Sequence, residues 1–142
     1  KMTVLTTKNI KRRARTIKKF IKIMYILFKE HRNFQSLFAI YSALNSTSIY
    51  RLKKTWKYVP KKHMTTLNEI KALTDSQNSY ENLRRIQSES VFPQIPYSGI
   101  LTTDLVFMNQ FPKTKKDGSI NLINIRRTLD IIDKQLRYQN SG

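Results

Sequence analysis

The sequence predicts an all-α domain, a multi-helix bundle, on three observations. Apolar side chains recur at three- and four-residue steps along most of the chain, the period of a helix with one buried stripe. Glycine occurs three times and proline four times in 142 residues, too little turn material for a many-stranded β protein. Hydrophobic residues at 39% with 11% aromatics supply a core at this length and argue against disorder.

The first helix is expected from near Thr7 to near Lys29. Ile10, Ala14, Ile17, Ile21, Met24 and Phe28 form its stripe, and Lys11, Arg12, Arg15, Lys18, Lys19 and Lys22 fill the other faces. A second helix, near Asn33 to Leu44, buries Phe34, Leu37, Phe38, Tyr41 and Leu44. Asn45-Ser46-Thr47-Ser48 is cap and turn material. Ile49, Leu52 and Trp56 then open a third helix on a fresh phase, which Pro60 ends. Met64, Leu67, Ile70 and Leu73 mark a fourth, and Asp75 or Ser76 caps a fifth that carries Tyr80, Leu83 and Arg84. Pro93 and Pro96 make residues 90–98 an extended linker, held by Val91, Phe92, Ile95 and Tyr97. Gly99 releases a sixth helix through about Met108, and residues 109–119 read as an exposed loop around Pro112 and Asp117-Gly118. The seventh helix starts near Asn121 and buries Leu122, Ile125, Leu129, Ile132 and Leu136.

Charge is the strongest compositional signal. Twenty-seven Lys and Arg against nine acids give a net charge of +18. Residues 1–32 hold eleven of those bases against the single acid Glu30. Such density attracts polyanions, whether nucleic acid, anionic lipid or an acidic protein face. With no cysteine, disulfides and thiolate metal sites are excluded. His31 and His63 have no second ligand at metal spacing, so neither metal nor cofactor is expected. No nucleophile–base pair stands out and no glycine-rich phosphate loop exists, so hydrolytic or phosphoryl-transfer chemistry has no machinery here.

Four stretches carry a family likeness. Asn9 to Ile23, with its Arg-Ala and Ile-Lys-Lys-Phe-Ile-Lys-Ile run, is the first. Asn33-Phe34 followed by Ser42-Ala43-Leu44-Asn45-Ser46, Tyr50-Arg51-Leu52 and Thr55-Trp56 is the second. Pro96-Tyr97-Ser98-Gly99-Ile100 leading to Thr103-Asp104-Leu105 is the third. Ile120-Asn121-Leu122, Arg126-Arg127 and Tyr138-Gln139-Asn140 form the fourth. In this order they resemble the catalytic domain of Ras-type guanine nucleotide exchange factors, the Son-of-sevenless family.

That resemblance implies a partial catalytic domain over 1–142, short of the family's N-terminal helices, with a projecting helical hairpin at about 97–122. It implies a Ras-like small GTPase as partner, and exchange by binding the nucleotide-free state rather than by bond chemistry. Val106 matches an apolar hairpin residue that intrudes on the GTPase's magnesium site. Gln110 stands where the family usually has a glutamate that engages the phosphate-binding loop. Thr103 and Asp104 match polar residues that fix the hairpin on the core. Phe38, Leu44, Asn45, Ser79, Tyr80 and Tyr97 match positions lining the bowl that grips the switch 2 segment, and Arg127 matches a basic position on the terminal helix. Phe38 and Leu44 also sit where any helical bundle places core residues. A cytoplasmic location is expected with such a partner, and the basic face of the first helix is expected to bind anionic lipid weakly, which would hold the protein at the inner membrane face. A non-catalytic GTPase-docking or scaffold module is the second function class. A basic polyanion-binding helical protein is the third, with nucleic acid the least favoured partner.

Overall fold

The computed structural model describes residues 2–89 and 93–139. Among them it is all-helical, with nine α-helices, one 3-10 turn and no strand; backbone pairing is confined to two isolated bridges. The helices are α1 (Met2–Thr6), α2 (Ile10–Lys29), α3 (Phe34–Asn45), α4 (Thr47–Tyr50), α5 (Lys53–Trp56), α6 (Lys61–Leu73), α7 (Glu81–Glu89), α8 (Ser98–Asn109) and α9 (Leu122–Gln139). No helix is long and apolar enough to cross a membrane among these residues.

Helix α2 is the axis of the bundle, packing on α1, α3, α5 and α6. Asn9 caps its start by accepting from the Arg12 amide at 3.0 Å. The predicted stripe is buried at Ala14, Ile17, Ile21 and Met24. Each of the three large side chains contributes about 1.5–3 kcal/mol by leaving water. Phe34, Leu37, Phe38 and Leu44 of α3 complete one side of the core, and Ile49, Val59, Ile70, Leu73 and Leu83 close the other.

The structure corrects the expected helix pattern in four places. Residues Met2–Thr6 form a helix the sequence pattern missed, with Val4 fully buried. The expected third helix is two single turns, because Leu52 leaves helical geometry at ψ 55°. Tertiary partners hold that break. The Trp56 indole donates back to the Ile49 carbonyl at 3.0 Å, and buried Thr55 accepts from Arg13 Nε of α2 at 3.0 Å. Tyr80 does not ride on the fifth helix. It follows a 3-10 turn (Gln77–Ser79), sits in left-handed conformation (φ 63°), and α7 begins only after it.

The fourth correction concerns α9. Leu122, Ile125, Leu129, Ile132 and Leu136, expected in the core, are 40–69% exposed. Helix α9 packs chiefly on α8, and the side it turns to α8 carries Asn124, Thr128, Ile131, Gln135 and Tyr138, with Ile125 and Leu129 only at its edge. The two helices run antiparallel: Leu105, Val106 and Met108 lie by Ile125, Thr128 and Leu129, while Ile100 and Asp104 lie by Ile131 and Gln135. This hairpin starts at Ser98, after the linker, and its second arm continues through Gln139.

The linker is held through its backbone. The Phe34 amide donates to the Ile95 carbonyl at 2.9 Å, and the Ile95 amide to Arg32 at 3.1 Å. Ile95 was expected to pack, yet its side chain is half-exposed; buried Gln94, donating to the Gln87 carbonyl at 3.0 Å, does the anchoring. Val91 and Phe92 lie outside the described residues, as does Asn140. At the hairpin tip the loop closes with Lys115–Ser119 pairing and Gly118 at φ 81°, where glycine carries no Cβ penalty.

Candidate functional site

Three aromatic rings from three separate elements meet where the bundle hands over to the hairpin. Phe38 of α3 stacks on Tyr97 of the linker, with ring centroids 3.7 Å apart and planes within 12°. Tyr80 stands edge-on to both, at 6.0 Å from Phe38 and 5.7 Å from Tyr97. The edge-to-face placement of Tyr80 is an arrangement that ring quadrupoles favour. Phe38 is buried and forms the floor; the two tyrosines are half-buried and form the surface. Burial, together with the Tyr80 hydroxyl bonded beside it, holds the Tyr97 phenol above its ordinary pKa.

Local backbone chemistry explains how the sequence sets this up. Asp75 accepts from the Gln77 amide at 3.0 Å and starts the 3-10 turn. Ser79 and Tyr80 then both adopt positive φ, 54° and 63°, which costs each L-residue roughly 1 kcal/mol or more. The ring packing of Tyr80 offsets that cost, and so does the Ser79 carbonyl, which accepts from Arg84 Nε at 2.6 Å. On the other side, Gln35 of α3 accepts from both the amide and hydroxyl of Ser98, at 3.0 and 3.1 Å, and fixes the start of α8. Glycine suits position 99. A Cβ there would run into the Tyr97 ring, and yielding would disturb that ring's stacking on Phe38.

Arg84 and Asp104 tie the hairpin to the bundle. The guanidinium of α7 binds both carboxylate oxygens of α8, Nη1 to Oδ2 at 2.8 Å and Nη2 to Oδ1. This two-point bond, more than the nearby charge itself, raises the already high pKa of Arg84. Because Arg84 also holds the Ser79 carbonyl, one side chain connects the Tyr80 turn to the hairpin. Both side chains are about one-third exposed, 32% and 28%, so the pair is weaker than a fully buried one. A double-mutant cycle of Arg84→Gln and Asp104→Asn, read by urea unfolding, is expected to give a coupling of about 1–2 kcal/mol. Additive single effects would mean the pair does not fasten the hairpin.

From the aromatic cluster a groove of 520 Å³ continues along α8, lined by Tyr80, Tyr97, Gly99, Thr102, Thr103, Val106, Phe107 and Gln110. Gly99, Thr103, Val106 and Gln110 share one helical face by their spacing. The structure therefore brings together Phe38, Tyr80, Tyr97, Thr103, Val106 and Gln110, with Ser79 next to Tyr80 and Asp104 on the flank. Val106 is 57% exposed. Thr103 spends its hydroxyl inside α8, donating to the Gly99 carbonyl at 2.8 Å, and makes no bond to the bundle among the described residues.

Leu44 and Asn45 lie elsewhere. They line a separate 270 Å³ hollow between α3, α4, α5 and α6, with Tyr41, Tyr50, Trp56 and Met64. Arg127 is exposed on α9, outside both. Sequence reasoning missed Gln35 and the anchoring role of Arg84, which no local pattern signals. It also missed Phe107 and Phe111, an exposed edge-to-face pair at 5.2 Å near the hairpin tip, legible as an i, i+4 aromatic pair.

The site thus combines a helical bundle, an aromatic cluster at its rim and an anchored hairpin that continues that rim. The RasGEF domain family matches residues 1–128, and the chain belongs to that family. It is 35% identical over 136 residues to Ras guanine nucleotide exchange factor Q of Dictyostelium discoideum, covering 96% of this chain and 10% of that protein. Against Ras guanine nucleotide exchange factor P of the same organism it is 37% identical over 137 residues, 96% of this chain and 9% of the relative. Against Ras-specific guanine nucleotide-releasing factor 1 of Mus musculus it is 31% identical over 139 residues, 97% of this chain and 11% of the relative. The chain thus spans about a tenth of the length of these curated relatives.

Proposed function

We propose that this domain is a guanine nucleotide exchange factor for a Ras-like small GTPase, promoting GDP release by binding the nucleotide-free state. The observation that carries this reading is the single groove from Tyr80 and Tyr97 along α8 to Gln110. It joins a surface that can grip a partner segment to an exposed apolar residue on an anchored helix. The names of the relatives, guanine nucleotide exchange and releasing factors, point the same way.

No bond is made or broken in such a reaction, so no acid, base or nucleophile is required. The domain works by differential affinity: whatever it gains by binding the empty GTPase more tightly than the GDP-bound one appears, by linkage, as weakened GDP. Tyr80 and Tyr97 supply large, stiff contact area at low entropic cost. Val106 enters the space that magnesium occupies in the loaded partner. Gln110, one turn further along α8, offers a neutral acceptor to the phosphate-binding loop.

The test is binding of this chain to Ras-like GTPases stripped of nucleotide or loaded with GDP, together with release of a fluorescent GDP analogue. Tighter binding to the stripped form is expected, and Tyr80→Ala should weaken it. Equal affinity for both forms would reject exchange and leave the docking or scaffold reading. That second reading is favoured by one residue, Gln110, which lacks the charge of the glutamate usual there.

Gln110→Glu is accordingly expected to speed exchange. Gln110 is exposed at the C-terminal end of α8. Exchanging a neutral for a charged acceptor at a partly desolvated contact adds about 1 kcal/mol, a several-fold rate effect. A glutamate variant no faster than the wild type, on a GTPase that both bind, would remove Gln110 from the exchange contact.

The finer location also belongs to this reading: a cytoplasmic domain held near the inner membrane face. Lys11, Arg12, Arg15, Lys19 and Lys22 are exposed on α2 and Lys18 half-exposed. Attraction of such a face to anionic lipid amounts to about 1 kcal/mol per base and fades with salt. Sequence-specific nucleic-acid binding that survives raised salt would favour the polyanion reading instead.

A further inference from the structure

On the side of the bundle where α2 packs against α6, a groove of 830 Å³ gathers Lys18, Lys22, Lys29, Lys62 and His63 around the lone acid Glu69. We propose that this groove is a binding site for the phosphomonoester headgroup of a phosphorylated membrane lipid. The inference rests on the membrane part of the reading above and replaces diffuse attraction with a defined site. It is independent of the exchange groove on α8.

Three observations carry it. First, the positive charge is uncompensated: among the described residues, Lys18, Lys22 and Lys62 have no carboxylate within ion-pair distance. Lys29 is the one base in the groove with another engagement, its ammonium lying 4.4 Å over the Phe28 ring. Lysines from two helices thus converge on one concavity, as multivalent phosphate recognition requires, and a flat solvated helix face would not place them so.

Second, the groove holds a polar group that the protein leaves incomplete. His63 Nδ1 is buried and has no hydrogen-bond partner among the described residues. Desolvation, then the charges of Lys18, Lys22 and Lys62, hold its pKa below the ordinary imidazole value. Among the described residues that line the groove, Glu69 is the only opposing charge. A bound phosphate dianion cancels the repulsion from the three lysines, so binding raises the affinity of His63 for a proton. By reciprocity, protonation of His63 strengthens phosphate binding.

Third, the chemistry of the wall favours a lipid over nucleic acid. Tyr25 and Ile26 line the same groove and are 43% and 39% exposed. An apolar rim beside a cationic pocket suits a headgroup at the membrane interface, where a phosphate lies next to acyl chains. A sugar–phosphate backbone offers nothing to that rim.

The experiment measures binding of this chain to phosphatidylcholine vesicles that carry a phosphorylated inositol lipid. Vesicles matched in charge with phosphatidylserine, the soluble inositol phosphate and a duplex RNA serve as comparisons. Expected is at least about tenfold tighter binding to the phosphomonoester vesicles than to the matched phosphatidylserine ones. Lys18→Gln combined with Lys62→Gln should erase that ratio. Lys11→Gln combined with Arg15→Gln, outside the groove, should weaken both vesicle types equally and preserve it. Circular dichroism checks that each variant folds. The ring-proton signal of His63, followed by NMR against pH, should move its midpoint upward when the soluble inositol phosphate is added.

Equal binding to the two charged vesicles would overturn the site and leave diffuse membrane attraction standing. Binding to neither would overturn both. A soluble phosphate that binds as tightly as the lipid would overturn a membrane role, and RNA that outcompetes the vesicles at the same salt would assign the groove to nucleic acid.

Discussion

Val106→Asp is expected to abolish the preference for nucleotide-free GTPase, lowering affinity for that state by roughly a hundredfold while leaving the fold intact. The two halves of that expectation come from one number. Val106 is 57% exposed, so in the free domain an aspartate there keeps its water and changes stability by no more than about 0.5 kcal/mol. In a complex that covers the α8 groove, the same carboxylate loses that water where the wild type presents an apolar side chain. An unpaired charge at a desolvated contact costs several kcal/mol, and about 2.7 kcal/mol already gives the hundredfold loss. Thermal unfolding and binding to stripped GTPase, measured on the same preparation, separate the two. A variant that unfolds like the wild type and still prefers the empty GTPase would show that the α8 groove is not the contact.

Phe38→Ala should have the largest effect on stability, about 3–5 kcal/mol by urea unfolding. Phe38 is 6% exposed and carries both tyrosines, Tyr97 face-to-face at 3.7 Å and Tyr80 edge-on at 6.0 Å. Truncation removes the transfer energy of the ring, leaves a cavity the rigid neighbours cannot fill, and unseats the groove's upper end. Phe38→Leu is the informative companion: it keeps most of the volume, loses the ring geometry, and should cost only about 1 kcal/mol or a little more. Partner binding weakened by Phe38→Leu would then report the tyrosines' loss of position rather than unfolding. A cost below about 1 kcal/mol for alanine would mean that the aromatic cluster is not formed in solution.

Helices α2, α3 and α6 were legible in the sequence because α3 and α6 both pack on α2 and each turns one apolar stripe to the common core, and a 3.6-residue period survives such packing intact. The third predicted helix failed at Leu52 because its geometry is set by remote groups, Arg13 on Thr55 and the Ile49 carbonyl on the Trp56 indole. Tyr80 was misread for a related reason. Its left-handed conformation opposes local preference and is held by Phe38, Tyr97 and Arg84, which lie far from it or on other elements. The α9 stripe shows the limit of periodicity itself. Five apolar residues at helical spacing announce a helix with an apolar side, but not whether anything among these residues covers that side.

By itself, then, the sequence determined the all-helical class, the helices whose stripes pack on one another, the family, and the residue types that gather at the rim. Periodicity and literal motifs are local properties, and local properties can be read in one dimension. Only the tertiary structure decided that Phe38, Tyr80 and Tyr97 form one cluster, that Leu44 and Asn45 line a different hollow, and that Arg84 joins the Tyr80 turn to the hairpin. It also decided that lysines forty residues apart share the groove of His63. These are contacts between segments distant in the chain, set by which faces bury each other, and no spacing along the sequence encodes them.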